Sequence, residues 1–459
     1  MLVQRNKFLY ETLKQLVTEM LGLAKNSVNG GTQIPNSSHP VWQSIGLHGQ
    51  GNSFFQHLIE KPSYKSIIGG MFESTRLLPI YSQTIEAIRA DSVWGSYLDK
   101  LVGSVIGDQA INLDALLSYI SMSLVEKTQN FDMAEELFTE QVEKLERFFQ
   151  SSTIQYCRTV PLWGVISTSE FSLSESISLV PLSNEEVSEL LDIGLILNFF
   201  NSGHVGRVPR LAIVTKLSID KVVTEGIRAD DNERYAEILN PVCRDETTII
   251  DLLTLILDVV IKPLGSVTKS NCCMYGTRQY EKNDIINYWG LVDKAIAEED
   301  KEKISKMWQL LNCNGEAARH NLLIAVRRFS LAMTRLSLDD KLIDLMICAE
   351  ALFLQDGNSE LTYKLSHRAA LFLGENQDEQ KVIFKFFKGA YDMRSKVVHG
   401  TKSYLQIPKD ADLLTSTTVK LAEHLRNTIL KMLDLALRPQ STSKLVDWEE
   451  LMFRSLHKP

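Results

Sequence analysis

The sequence predicts a mainly helical protein with a small α/β module in its middle and an antiparallel bundle of helices towards its C-terminus. Three observations predict this. Apolar residues recur at three- and four-residue intervals over most of residues 1–149, and again from 245 onward. Between 150 and 235 the texture changes to short runs rich in Ile, Val, Leu and Tyr with period-two alternation. From 314 to 438 long periodic stretches are joined by short loops, which makes neighbouring helices antiparallel. The expected segments are a helical N-terminal region (1–149), the α/β module (150–235), a helical connector (236–313), the bundle (314–438) and a C-terminal tail (439–459).

The first helix is expected over residues 1–28, with Phe8, Leu9, Leu13, Leu16, Val17, Met20 and Leu23 on one stripe. A loop follows through Asn29-Gly30-Gly31 to Pro40. Trp42 to Phe149 reads as mostly helical and ends in an amphipathic helix from Met133. His39, His48 and His57 lie close together, but none has i, i+4 spacing, and loop or packing histidines are the better reading than a metal site.

In the middle module Thr153–Val160, Pro161–Ser167, Ser176–Pro181 and Arg207–Leu217 read as strands. Ser183 followed three residues later by Glu186 has the form of a capping box opening a helix to Ile196. The loop Asn201-Ser202-Gly203-His204-Val205-Gly206 lacks a phosphate-loop pattern and precedes a strand rather than a helix. From Asp245 the chain reads as helical, first over Thr247–Lys262 and then over Asp284–Leu311, with the Cys272-Cys273 loop between. The charge run Glu298 to Lys303 is read as a solvated helix face or a turn.

In the bundle, helices are expected over Glu316–Leu336, Asp339–Leu354, Ser359–Leu373, Asp378–Val398 and Ala411–Leu437. Leu322, Leu323, Val326, Phe329 and Met333 point inward on the first. The Asp339-Asp340 pair suits the N-terminus of the second, and Gly374 ends the third. On the fourth, Ile383, Phe386, Ala390, Met393 and Val397 define a buried stripe, and Arg394, one step from Met393, flanks it.

The 459 residues allow two or three domains. With 44% hydrophobic and 23% charged residues, the composition is that of a soluble globular chain rather than a disordered one. A net charge of -8 excludes a surface coated with basic residues for bulk nucleic-acid binding. It leaves room for a local basic site: 314–438 holds 18 Lys and Arg against 15 Asp and Glu, a surplus of three, so the remainder carries -11. The six cysteines form no C-x-x-C pair, and their low density fits a reducing, cytoplasmic location. Arg5, Lys7, Glu11, Lys14 and Glu19 break any secretory h-region. The longest apolar run, Ile249–Ile261, holds Asp251 and Asp258 and is too short to span a bilayer. Neither a membrane partner nor a repeat architecture is expected.

The chemistry concentrates at Tyr391-Asp392-Met393-Arg394-Ser395-Lys396-Val397-Val398-His399-Gly400. Five steps of about 100° put Arg394 and His399 on different faces of a helix. Gly400 supplies a helix stop in the left-handed conformation, which leaves His399 at the last turn. A permanently charged Arg binds phosphate bidentately, and a His moves protons near neutral pH. Together they suit attack of a ribose 2′-OH on its neighbouring phosphate, with no metal or other cofactor. The plainer reading is that Arg394 caps or salt-bridges and His399 is favoured at the helix end by the macrodipole.

This stretch resembles the Arg-x4-His motif of the HEPN superfamily of ribonucleases and RNA-binding proteins, close to its ApeA-like branch. The resemblance extends upstream through Ala325-Val326-Arg327-Arg328-Phe329, Lys341 to Leu345, Cys348 to Phe353 and Glu360 to Leu365 with Arg368-Ala369-Ala370. It covers about a quarter of the chain. It implies a HEPN-type helical bundle, a homodimer that sets two motifs face to face, and metal-independent endoribonuclease activity on RNA. Such activity is often part of anti-phage defence, abortive infection or a toxin, here with the N-terminal regions sensing a phage-derived trigger. Arg394 and His399 are then the catalytic residues. Ser395 stands where many members carry Asn, Asp or His, and Lys396 is either a phosphate contact or a solvated lysine. Glu350 or Asp344 could orient Arg394 or could form a structural ion pair. The alternative is a non-catalytic RNA-binding or assembly module.

Overall fold

The computed structural model describes residues 6–45, 52–104, 106–192, 208–224, 232–270, 279–282, 293–312, 317–354, 360–399, 408–438 and 446–455. Two compact units are assembled from interleaved segments. One takes Met1–Pro161, Leu182–Asn240 and Leu264–Asp284; the other takes Leu162–Pro181, Pro241–Pro263 and Ile285–Pro459. These units and the five sequence segments divide the chain differently.

Helix α1 (Lys7–Asn29) starts where the Asn6 side chain accepts the Leu9 N–H at 3.1 Å. It buries Leu9, Leu13, Leu16, Val17 and Met20 as expected, but Phe8 is exposed. The next stretch departs from the expected loop and helix. Strands β1 (Asn36–Ile45) and β2 (Asn52–Pro62) form an antiparallel hairpin whose backbone register pairs His39 with Ile59 and His57 with Val41. Val41, Trp42 and Ile45 in β1 and Phe54, Phe55 and Ile59 in β2 are residue types that serve a strand as well as a helix once a pairing partner exists. His48 lies outside the described residues.

Helices α2 (Tyr64–Gly69), α3 (Phe72–Arg76) and α4 (Pro79–Ala90) follow. Strands β3 (Lys100–Ser104) and β4 (Gly107–Ile111) again interrupt the expected helices. They precede α5 (Leu113–Thr128) and α6 (Glu135–Gln150). The core of the first unit joins α1, α5 and α6 through Leu13, Leu16, Leu117, Phe138, Val142 and Phe149.

Strand β5 (Thr153–Trp163) runs straight through Pro161. After it come β6 (Val165–Ile166), β7 (Phe171–Ser172) and β8 (Ile177–Pro181). Gly164, between β5 and β6, has φ +84, and a Cβ there would lie 2.5 Å from the Val260 carbonyl oxygen. The expected capping box opens α7 (Asn184–Asp192): Ser183 N–H donates to Glu186 Oε2 at 2.8 Å, and Glu186 N–H donates to Ser183 Oγ at 3.2 Å. The Asn201–Gly206 loop lies outside the described residues. Next come β9 (Leu211–Asp220), β10 (Val222–Thr224) and α8 (Asn232–Leu257).

Helix α8 begins well before the expected Thr247 and stops at Leu257, where Asp258 takes φ 54. Beyond it the expected helical connector contains strands β11 (Lys262–Pro263), β12 (Gly265–Ser270) and β13 (Gln279–Lys282). Strand β12 pairs antiparallel with both β5 and β13. Those partners lie far apart in sequence, which period counting within one window does not see. The Cys272-Cys273 pair is outside the described residues.

Strand β14 (Lys294–Ala295) pairs in parallel with β6, and α9 (Glu298–Asn312) carries the charge run. One member of that run is not solvated: Lys301 is buried and donates to Ser169 Oγ at 2.6 Å and Glu298 Oε1 at 2.5 Å. The bundle consists of α10 (Ala317–Thr334), α11 (Leu338–Phe353), α12 (Leu361–Leu373), α13 (Gln377–Val398) and α14 (Pro408–Ala436). The chain as a whole is mainly helical, with sheet in its middle and helices at its C-terminus.

Gly374 ends α12 by close approach rather than by a left-handed turn: a Cβ there would lie 2.9 Å from the Gln380 backbone nitrogen. The segment expected to be a tail holds α15 (Trp448–Ser455). Its Trp448 is buried against Phe353 and Phe372, with the Arg368 guanidinium 5.2 Å from its ring. Among the described residues no helix is long and apolar enough to cross a membrane.

Candidate functional site

Helix α13 positions the candidate residues, and both of its ends are defined. Asn376 caps the N-terminus, accepting the Glu379 N–H at 3.0 Å, while Glu379 reaches back to the Glu375 N–H at 2.9 Å. At the C-terminus His399 is the cap residue, with φ -83 and its N–H on the Ser395 carbonyl at 3.0 Å. The expected left-handed Gly400 lies outside the described residues.

Ile383, Phe387, Ala390 and Met393 form the buried row of α13. Phe387, not Phe386, carries the aromatic position: it meets Phe353 edge-on at 6.0 Å, while Phe386 is half-buried against His424. The two differ by one 100° step, within the width of an apolar stripe. Arg394 is half-buried one step from buried Met393, so it flanks the row as expected. Its side chain is half-buried, and its Nε is buried with no hydrogen-bond partner.

Arg394 shares its surroundings with Tyr391, one turn earlier, and with Glu350 on α11. The Glu350 carboxylate lies close enough to the Tyr391 hydroxyl to act on it. Burial and the Glu350 charge push the Tyr391 hydroxyl above its ordinary pKa, and the Arg394 charge opposes them. Tyr391 lies three residues before Arg394, and that spacing is the sequence signal that joins it to the site.

His399 is exposed. Five residues beyond Arg394, it stands about 7.5 Å further along the axis and about 140° around it. Within one chain, therefore, the helix turns Arg394 to the bundle and His399 to solvent. Ser395 is half-buried beside Arg394, and Lys396 is exposed in the last turn.

Asp344 does not face Arg394. It is 2% exposed and bonds Arg328 Nη1 at 2.8 Å and Arg335 Nε at 2.7 Å, a tie between α10 and α11. Of the two carboxylates considered for Arg394, only Glu350 is in its cluster. Among the described residues no group of three or more His, Cys, Asp or Glu side chains could hold a metal ion.

No protein-family model, curated protein or solved structure matches the chain.

Proposed function

We propose that this chain is a metal-independent endoribonuclease of the HEPN type. The observation that carries the reading is the Arg394 guanidinium, whose buried Nε has no partner on the helix that ends in exposed His399. An unpaired buried donor is costly, and a phosphate oxygen is the kind of acceptor that relieves it while matching the fixed charge. In the proposed step the 2′-oxygen bonds to phosphorus and the bond from phosphorus to the 5′-oxygen breaks. The 2′-OH proton leaves and a proton reaches the departing 5′-oxygen. The products are a 2′,3′-cyclic phosphate and a 5′-OH end.

His399 moves one of these protons, and Arg394 holds the phosphate as its charge develops. Glu350 and Tyr391 orient the guanidinium, and Ser395 and Lys396 border the site. Arg394 and His399 point to different sides of one helix, so a homodimer supplies the second His or Arg to each cleft. The wider setting, a cytoplasmic anti-phage or abortive-infection protein whose preceding regions sense a phage-derived trigger, rests on the sequence resemblance.

The test is incubation of the full chain with RNAs of varied sequence in chelator, with and without phage lysate. Cleavage that leaves 2′,3′-cyclic phosphate ends, and is lost in His399→Ala and Arg394→Ala, is expected. Intact RNA throughout, or undiminished cutting by His399→Ala, refutes the reading.

A second reading, a non-catalytic RNA-binding or assembly module, draws on the same divergence of Arg394 and His399. It expects RNA binding and oligomeric state to be indifferent to His399→Ala.

A further inference from the structure

A surface cavity of about 560 Å3 is lined by Glu360, Leu361, Thr362, Tyr363 and Lys388. The proposed chemistry leaves these residues without a role. Tyr363 is 59% exposed, yet its ring is held on two sides. The His367 imidazole lies nearly parallel to it, at 9° and 5.7 Å, and Phe384 meets it at 70° and 5.6 Å. So braced, the tyrosine presents a fixed aromatic surface at the cavity. Lys388 and Glu360, both exposed, add a cation and a carboxylate.

The cavity adjoins the candidate site along one helix. Phe384, Lys388, Tyr391 and Ser395 follow one another at intervals of four, three and four, so they share a face of α13. Lys388 stands about 9 Å along the axis from Arg394 and about 120° around it, a separation a single-stranded chain spans within a few nucleotides.

We propose that this cavity is a base subsite for single-stranded RNA. A nucleobase stacks on Tyr363, Lys388 holds a flanking phosphate, and Glu360 accepts a hydrogen bond from an exocyclic amine of the base. The proposal rests on the reading of the chain as an RNA enzyme and names how its substrate is held. Aromatic stacking is indifferent to base identity and contributes about 5- to 150-fold in affinity per base. A carboxylate adds selectivity, because cytosine, adenine and guanine carry an amine and uracil does not. Glu360 also disfavours a phosphate at its end of the cavity, which leaves Lys388 as the phosphate end.

The experiment is fluorescence anisotropy with labelled oligocytidine and oligouridine, using the full chain carrying His399→Ala so that no turnover occurs. Cytosine and uracil have the same ring size, so their difference isolates the amine. Oligocytidine is expected to bind about tenfold more tightly than oligouridine, and Glu360→Ala to remove that preference. In the same background Tyr363→Ala weakens oligocytidine at least tenfold, whereas Tyr363→Trp retains it. Lys388→Ala weakens both oligonucleotides and reduces the slope of log affinity against log salt by about 0.7.

No binding of either oligonucleotide, equal binding of the two, or unchanged binding by Tyr363→Ala overturns the subsite. Cleavage by the unsubstituted chain separates this from the nuclease reading. RNA cut equally well with Tyr363→Ala sinks the subsite alone. Tyr363-dependent binding with no cleavage sinks the nuclease alone.

Discussion

Asp344 and Arg394 lie in the same helical bundle in opposite electrostatic states. Asp344 is buried, and each of its oxygens is met by a separate arginine, at 2.8 and 2.7 Å. Arg394 is half-buried with a buried Nε that bonds nothing. Both are charged groups at helix contacts, and charge pattern alone makes them equivalent. A saturated ion cluster has no capacity left for a ligand and serves to tie helices. A fixed charge with an unsatisfied donor is less stable than it could be, and sites that bind ligands are where such deficits persist. The contrast separates a structural cluster from a candidate binding one.

The sharpest break in that contrast would come from activity. His399 is exposed, and His399→Ala should lower RNA cleavage about 100- to 10,000-fold, the range for loss of a general acid or base, while leaving the urea midpoint unchanged. A large loss of stability instead would place His399 with the structural groups.

Asp251 offers an intermediate case in the same unit. It is buried on α8, with a hydrogen bond from Ser330 and the charge of Arg327 nearby. Burial outweighs both and pushes its carboxyl up to about 7. Unfolded, the group ionises near 4; folded, it keeps its proton until about 7. Its contribution to stability is therefore present below about pH 4 and is lost as pH rises through 7. Asp251→Asn should match the parent near pH 4 and exceed it by up to about 4 kcal/mol at pH 8. Urea unfolding at both pH values checks this, and a pH-independent difference would contradict it.

Asp344→Ala should destabilise by about 1–3 kcal/mol; the two arginines left behind are half-exposed and can rehydrate. Arg394→Met, which keeps the volume and removes the unpaired donor, should change stability by less than about 1 kcal/mol while abolishing cleavage. Equal losses from the two substitutions in urea unfolding would erase the distinction between the clusters.

The smallest effect is expected at Tyr391. Tyr391→Phe removes the hydroxyl that neighbours Glu350 and should cost at most about 1.5 kcal/mol. It should also weaken RNA binding in the presence of intact Arg394 and not in Arg394→Met. A double-mutant cycle in anisotropy measures that coupling.

The sequence was most readable where structure is local. The Ser183–Glu186 capping box forms as its spacing predicts. The helices from 317 to 436 begin and end close to their expected bounds, and His399 stands at a helix end. It was least readable where distant segments pair. Strands β11 and β12 pair with β5, far earlier in the chain and outside any periodic window, whereas β1–β2 and β3–β4 are local hairpins that the helical expectation misses because their residue types suit either state. Helix α15 falls in the expected tail, because one buried Trp448 is too little pattern to mark a helix.

The sequence by itself determined the local devices: caps, helix periods, the Gly that ends α12, and the pairing of Arg394 and His399 on one helix. Only the tertiary structure decided what each charge faces. Periodicity leaves a margin of one 100° step, and that step moves the aromatic position of the buried row from Phe386 to Phe387. It also left Asp344 and Glu350 indistinguishable on α11. They part because Asp344 meets Arg328 on α10 and Arg335 just beyond it, whereas Glu350 lies by Tyr391, which Arg394 also neighbours. Burial and satisfaction of charge are properties of neighbours in space, which no single helix encodes.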